Sequence, residues 1–308
     1  MLGANLRLSE NEIIDLIRQR FPGGAALTDD CGRVPALAAG QILLATTDLM
    51  ESGTHFSLEW HPPKMLGRKL MAVNISDLDA SGAHPLGFML TLAVGRDVGA
   101  ALLEEILEGI AETAKEYGVP VIGGDTVGRE CGLGLGITAF GAAVRQLHRN
   151  GVQVNDCIYV DYLPGASARG LEKLKSGQRW DPKHPDTDIL AHLDPRPNIG
   201  LGVKLANIPQ VHACIDISDG LCKELRLLAE ASDLSIVAEP NLGTDELYGG
   251  EDYSRCFSCA MNLEELQNLA GREFYFIAKA IPKSDAPVLR YAGNNIVPLE
   301  DLSFRHMG

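Results

Sequence analysis

Three short apolar runs in this 308-residue chain end on aspartate, and that pattern restricts its fold more than any other feature. They are ILLATTD (42–48), VIGGD (121–125) and HACID (212–216). Each has the length and apolar content of a β-strand. An acid at a strand end stands where the backbone turns irregular, and such positions can aim side chains at one cleft. Two further acids, Asp29 and Asp30, follow a Gly-rich loop, and Asp219 lies three residues after Asp216 in DISDG.

Helical patterns alternate with these strands. Ser9 and Glu12 have the spacing of a capping box and predict a helix over 10–20, with Ile13, Ile14, Leu16 and Ile17 as its apolar stripe. A second helix is predicted over 63–82, carrying Met65, Leu66, Leu70, Met71, Val73 and Leu78, and a third over 99–117. Strands are predicted at 42–50, 87–94 and 132–144, the last with Gly132, Gly134 and Gly136 alternating onto one face. After 145–155 the pattern restarts with CIYV (157–160), helices near 166–176 and 198–206, and strand–turn–helix over 211–233. SIVAE, YSRCFSCA and FYFIAKA add strands, while 177–197, with four prolines, reads as a connector. The fold class is therefore α/β (α+β), in two lobes expected at 1–148 and 149–308.

Charge and cysteine content exclude several functions. Lys and Arg total 27 against 41 Asp and Glu, a net charge of −14. A nucleic-acid backbone or an anionic membrane surface demands clustered basic residues, and none occur. No apolar run approaches the roughly 20 residues that span a bilayer, and the N-terminal MLGANLRLSENEII lacks the order of a secretory signal. Seven cysteines in a chain of this size fit reduced thiols and a cytoplasmic location. Cys256 and Cys259 form a Cys-x-x-Cys without a second ligand pair, so they read as buried structural thiols.

The aspartates suit hard divalent cations, which take oxygen ligands; magnesium is held by a few carboxylates together with water and substrate phosphates. Taken singly, each acid has an ordinary reading as a helix cap or turn former, and Ser218 or Asp219 can cap the helix that follows. Taken together, the acids at these strand ends and turns are harder to assign to capping alone. There is no Gly-x4-Gly-Lys-Ser/Thr loop, no dinucleotide fingerprint, no Gly-x-Ser-x-Gly and no His-Glu-x-x-His. Phosphate chemistry in this chain would run on acids and magnesium.

Six motifs stand in order: DDC (29–31), TTDLMESGTHF (46–56), LGRKLMAVNISDLDASGAHP (66–85), VIGGDT (121–126), DISDGL (216–221) and YGGEDY (248–253). With them the chain resembles the thiamine-monophosphate kinases, within the aminoimidazole ribonucleotide synthetase superfamily of ATP-binding enzymes. The resemblance implies that two-lobe fold, with the N-terminal lobes pairing their sheets in a homodimer and the active sites at that interface. It implies that Asp30, Asp48, Asp77, Asp125, Asp216 and Asp219, with Thr46 and Thr47, bind the magnesium ions that bridge ATP. Gly124, Asp125, Arg149 and Ser218 would contact the nucleotide. His55, Glu251 and Phe304 would contact thiamine monophosphate, with Asp125 and Asp219 closest to the chemistry. Direct phosphoryl transfer from ATP would give thiamine diphosphate.

The segment between Asp219 and Glu251 is shorter than that family's, and Asp161-Tyr162 replaces its customary Thr-Gly. Two alternatives stay open. One is another ATP-dependent synthetase of the superfamily, against which stand the missing early Cys-Lys pair and the C-terminal SFRHMG without cysteine. The other is a catalytically silent nucleotide-binding homologue.

Overall fold

A computed structural model describes residues 7–292, 295–300 and 302–303. The chain divides into two compact units, one of residues up to Leu78 with His84–Val144, the other of Asp79–Ala83 with residues from Arg145 onward.

The first unit is built on a four-stranded sheet. α1 (Glu10–Arg20) precedes β1 (Ile42–Glu51), α2 (Pro63–Ala80), β2 (His84–Gly95), α3 (Ala100–Tyr117), β3 (Val121–Arg129) and β4 (Leu133–Ala143). Ser9 and Glu12 close the capping box of α1. Ile13 and Ile17 are buried there, while Ile14 and Leu16 are only half-buried. The strand order is β1-β4-β2-β3, with β4 antiparallel to both β1 and β2, and β3 parallel to β2. Phe88, Leu90 and Leu92 on β2, and Leu135, Ile137 and Ala139 on β4, are buried at alternate positions, the period-2 signature of a packed sheet face. α2 and α3 meet closely, because a Cβ on Gly67 would lie 2.0 Å from the Ile106 carbonyl oxygen.

The second unit contains β5 (Cys157–Val160), α4 (Ala166–Lys175), α5 (Thr187–Leu193), α6 (Leu201–Ala206), β6 (Val211–Asp216) and α7 (Leu221–Ala231). β7 (Ser235–Ala238), α8 (Thr244–Tyr248), β8 (Arg255–Cys259), α9 (Leu263–Ala270), β9 (Tyr275–Ile281), β10 (Val288–Ala292) and β11 (Asn295–Pro298) follow. The strands form one sheet in the order β11-β10-β7-β9-β5-β8-β6. Alternation gives it two apolar faces. Ile158, Val160, Ala213, Ile215 and Cys256 pack with Leu221, Leu225 and Leu228 of α7, whereas Tyr159, Cys214, Phe257 and Cys259 pack with Leu201 and Leu205 of α6.

One expectation changes and one holds. The stretch 177–197 is not only a connector, since α5 lies inside it with Asp186 accepting from the N–H groups of Asp188 and Ile189. Cys256 and Cys259 fall on opposite sheet faces, which keeps the two thiols from sharing a metal; both are free and buried. Among the described residues no helix is long and apolar enough to cross a membrane.

Candidate active site

In the first unit the sequence-predicted acids fall into two sets. One lies where β1 meets α2. Thr46 and Asp48, two apart on a strand, share a face. Thr46 Oγ1 donates to Asp77 Oδ2 at 2.5 Å, and the Asp48 N–H donates to Asn74 Oδ1 at 3.0 Å. Asn74 is itself fixed by donating to the Leu70 carbonyl one turn earlier. The spacing of Asn74 and Asp77 on α2 thus meets the spacing of Thr46 and Asp48 on β1. Thr47 points the other way, its hydroxyl bonding the Ile137 carbonyl at 3.0 Å and the Thr138 hydroxyl at 3.1 Å.

The second set lies along β3. A Cβ on Gly32 would sit 1.5 Å from the Ile122 carbonyl oxygen, so the turn carrying Asp30 runs directly against β3, just before Gly124 and the exposed Asp125. Only glycine permits that approach. β4 and β2 separate β1 from β3. Three inter-strand steps make that separation about 14 Å along the sheet. Among the described residues no group of three or more His, Cys, Asp or Glu side chains is gathered closely enough to hold a metal ion.

His55 stands in the turn after β1. Its Nδ1 accepts the Glu51 N–H at 3.0 Å, which puts the proton of the neutral ring on Nε2, where it can donate. Glu51 also holds Arg129 of β3 at 2.7 Å, across the sheet over Gly134.

In the second unit the motifs DISDGL and YGGEDY, far apart in sequence, interlock. The Glu251 N–H donates to the Ser218 carbonyl at 2.7 Å, the Tyr253 N–H to the Ile217 carbonyl at 2.8 Å, and the Ile217 N–H to the Ser254 carbonyl at 2.9 Å. A Cβ on Gly250 would lie 2.7 Å from the Ser218 oxygen. Asp216 ends β6, and the N-cap of α7 is Gly220 without a side-chain cap. The capping reading of Ser218 and Asp219 therefore fails. The Asp219 carboxylate reaches Lys223 Nζ instead, at 2.5 Å, and its N–H donates to Glu224 Oε1 at 3.1 Å. Glu224 is only 2% exposed, and its Oε2 is buried without a hydrogen-bond partner. Burial pushes its carboxyl up to about 8.

Glu251 Oε2 lies 3.3 Å from His192 Nδ1, which also contacts the Ser167 hydroxyl at 3.1 Å. Asp252 beside it accepts from the N–H groups of Gly165 and Ser167, and burial raises its carboxyl to about 6. Arg149 is not brought into this cluster. Ser232, at the C-terminal end of α7, donates to its carbonyl, so the Arg149 backbone sits a helix length, about 16 Å, from the DISDG end. Phe304 lies outside the described residues.

Oxygen donors from carboxylates and hydroxyls, with neither thiolate nor imidazole among them, fit magnesium by chemistry. The family described as AIR synthase related protein, N-terminal domain, matches residues 28–143. Thiamine-monophosphate kinase of Escherichia coli K12 is 36% identical over 247 residues, which cover 75% of this chain and 74% of the relative.

The chain belongs to the thiamine-monophosphate kinase family.

The kinase of that name from Synechococcus elongatus is 30% identical over 97% of this chain and 96% of its own, so the relationship extends through both units. The solved structure of AaThiL complexed with AMPPCP and TMP shares the fold, with a TM-score of 0.76 at 24% identity, covering 98% of this chain and 99% of its own. Sequence reading of this kinase-family chain missed Lys223, Glu224 and Arg255. The four-residue spacing of Asp219 and Lys223 was a legible signal. Arg255 was concealed in an apolar strand, and its partner Asp79 lies 176 positions away.

Proposed function

We propose that this chain transfers the γ-phosphoryl group of ATP directly to the phosphate of thiamine monophosphate, giving thiamine diphosphate and ADP. The observation that carries this reading is the 36% identity to the Escherichia coli kinase over three-quarters of both chains. AMPPCP, an ATP analogue, and TMP are the ligands of the structural neighbour, which supports the same pair of substrates. The attacking oxygen belongs to a phosphate already ionised at neutral pH, so the reaction needs no strong general base. It needs positive charge between two anions and an in-line arrangement.

Asp30, Asp48, Asp77, Asp125, Asp216 and Asp219, with Thr46, would hold several magnesium ions; Thr47, whose hydroxyl is turned to the Ile137 carbonyl, is left out of that set. When bound, these ions supply charge neutralisation on the phosphoryl oxygens. Thr46 and Asn74 orient Asp77 and Asp48 for this task, and Gly32 holds the Asp30 turn against β3. Gly124, Ser218 and Arg149 would contact the nucleotide, Arg149 by reaching in from the far end of α7. His55 Nε2 and Glu251 would contact the acceptor. Asp125 and Asp219 would stand nearest the transferred group. The first unit would provide the ATP and magnesium functions and the dimer contact.

Because Asp48 and Asp125 sit at opposite edges of one sheet, about 14 Å apart, a single metal cluster using both would draw them from two copies. That supports a homodimer whose sheets pair; the cytoplasmic location rests on the seven cysteines read as reduced thiols. The test is incubation with ATP, magnesium and thiamine monophosphate, following thiamine diphosphate by chromatography with and without chelator. ATP hydrolysis with no thiamine diphosphate would overturn the assignment, and a phosphorylated protein isolated during turnover would overturn direct transfer.

A further inference from the structure

Lys223 occupies an electrostatically unfavourable place. It lies in the first turns of α7, near the positive end of the helix dipole, where cations are disfavoured. Its ammonium is compensated by Asp219 Oδ2 at 2.5 Å, in a pair that is about three-quarters buried on both sides. Asp219 is clamped a second time, since Glu224 Oε1 accepts its N–H from within the buried first turn. The carboxylate is therefore held at a fixed place with a univalent cation against it.

We propose that Lys223 is a built-in counter-cation of the metal site, which a divalent ion must displace to reach Asp219. This rests on the reading of Asp219 as a magnesium ligand. The ammonium occupies one side of Oδ2 and its charge repels a divalent ion approaching the same carboxylate, so metal binding there competes with Lys223. Displacement breaks only the ion pair and no covalent bond, and the long side chain can turn towards solvent. The lysine keeps the Asp216–Asp219 turn neutralised and ordered when no metal is present, and it weakens apparent metal affinity. Lys223 acts through Asp219, so it is a positioning residue.

The experiment uses the full chain and Mn²⁺ alone, followed by electron paramagnetic resonance of the free ion. Lys223→Met is expected to tighten Mn²⁺ binding at least about two- to five-fold, the range for an exposed ion pair and a lower bound for this largely buried one. Lys223→Arg should remain close to wild type. In an Asp219→Asn background, Lys223→Met should have no further effect, because direct competition requires the carboxylate. If Asp219→Asn leaves Mn²⁺ binding unchanged, the metal-ligand reading of Asp219 is wrong. If Asp219→Asn weakens binding but Lys223→Met does not tighten it, or tightens it equally without the carboxylate, the counter-cation role is wrong.

Discussion

The N–H of Glu251 donates to the carbonyl of Ser218 at 2.7 Å. This one bond ties the turn proposed to grip the acceptor to the turn proposed to hold metal and nucleotide. Glu251 takes a φ of 64°, a strained value for a residue with a side chain, which points to a turn fixed by its surroundings.

Gly250 makes that contact possible. Gly250→Ala would press a methyl group against the Ser218 oxygen at 2.7 Å. The expected cost is about 1–3 kcal/mol of stability, with KM raised for both ATP and thiamine monophosphate. Thermal melting and steady-state kinetics measure both, and an unchanged KM for either substrate would separate the two turns functionally.

Asp77 accepts from the Thr46 hydroxyl at 2.5 Å, a bond that the amide oxygen of Asp77→Asn can still accept, so this variant should leave the melting temperature almost unchanged. Kinase turnover should fall at least a hundred-fold. Thr46→Val should have a smaller effect, about five-fold, because it removes one orienting hydrogen bond worth about 1 kcal/mol. Equal effects from the two variants would argue against Asp77 as the ligand.

Arg255 and Asp79 are both fully buried, with Arg255 Nε donating to Asp79 Oδ2 at 2.8 Å. Asp79 also accepts from the Gly200 and Gly202 N–H groups at the start of α6. Burial disfavours the guanidinium charge, and the carboxylates of Asp79, Asp216 and Asp161 outweigh it and keep Arg255 protonated. Arg255→Leu would strand these acids, and a loss of about 3–5 kcal/mol is expected. Denaturant unfolding reads it, and a change under 1 kcal/mol would show the pair to be dispensable.

Glu224 supplies a pH dependence. Its folded-state value, pushed up to about 8 by burial, exceeds the ordinary 4.5, so the folded chain binds this proton more tightly than the unfolded one. Stability from this group is full below pH 4.5 and falls as pH rises towards 8. Glu224→Gln, which retains the acceptor for the Asp219 N–H, should melt with wild type near pH 5 and increasingly above it by pH 8.5. A constant offset across that range would remove Glu224 as the cause.

β1 is an edge strand carrying Leu43 and Leu49 at 46% and 55% exposure. Exposed edges of this kind are pairing surfaces. Leu43→Asp with Leu49→Asp should convert the proposed dimer to monomer in sedimentation equilibrium and abolish kinase activity together with it. Full activity from a monomer would mean that one chain holds the complete site.

Local order was widely legible. The Ser9–Glu12 capping box, the strands around 42–50 and 157–160 and the helix over 99–117 all follow from side-chain periodicity, which a short window contains. α5 escaped because prolines flank it on both sides and mask a seven-residue helix. α8, α9, β10 and β11 escaped because each is only four to eight residues long. The relation of Thr46 to Asp77 was half legible, since each motif was visible but the contact between them was not. The Arg255–Asp79 pair was invisible, because no local pattern announces a partner 176 positions away.

By itself the sequence determined the succession of strands and helices, the acids at their ends and the family to which those motifs belong. Only the tertiary structure decided which acids are neighbours. β4 inserts between β1 and β2, so Asp48 and Asp125 go to opposite edges. Asp219 turned to Lys223, and Arg149 went to the far end of α7. The physical reason is that side-chain period is a property of consecutive residues. Strand order and ion pairing are set by which distant surfaces bury one another.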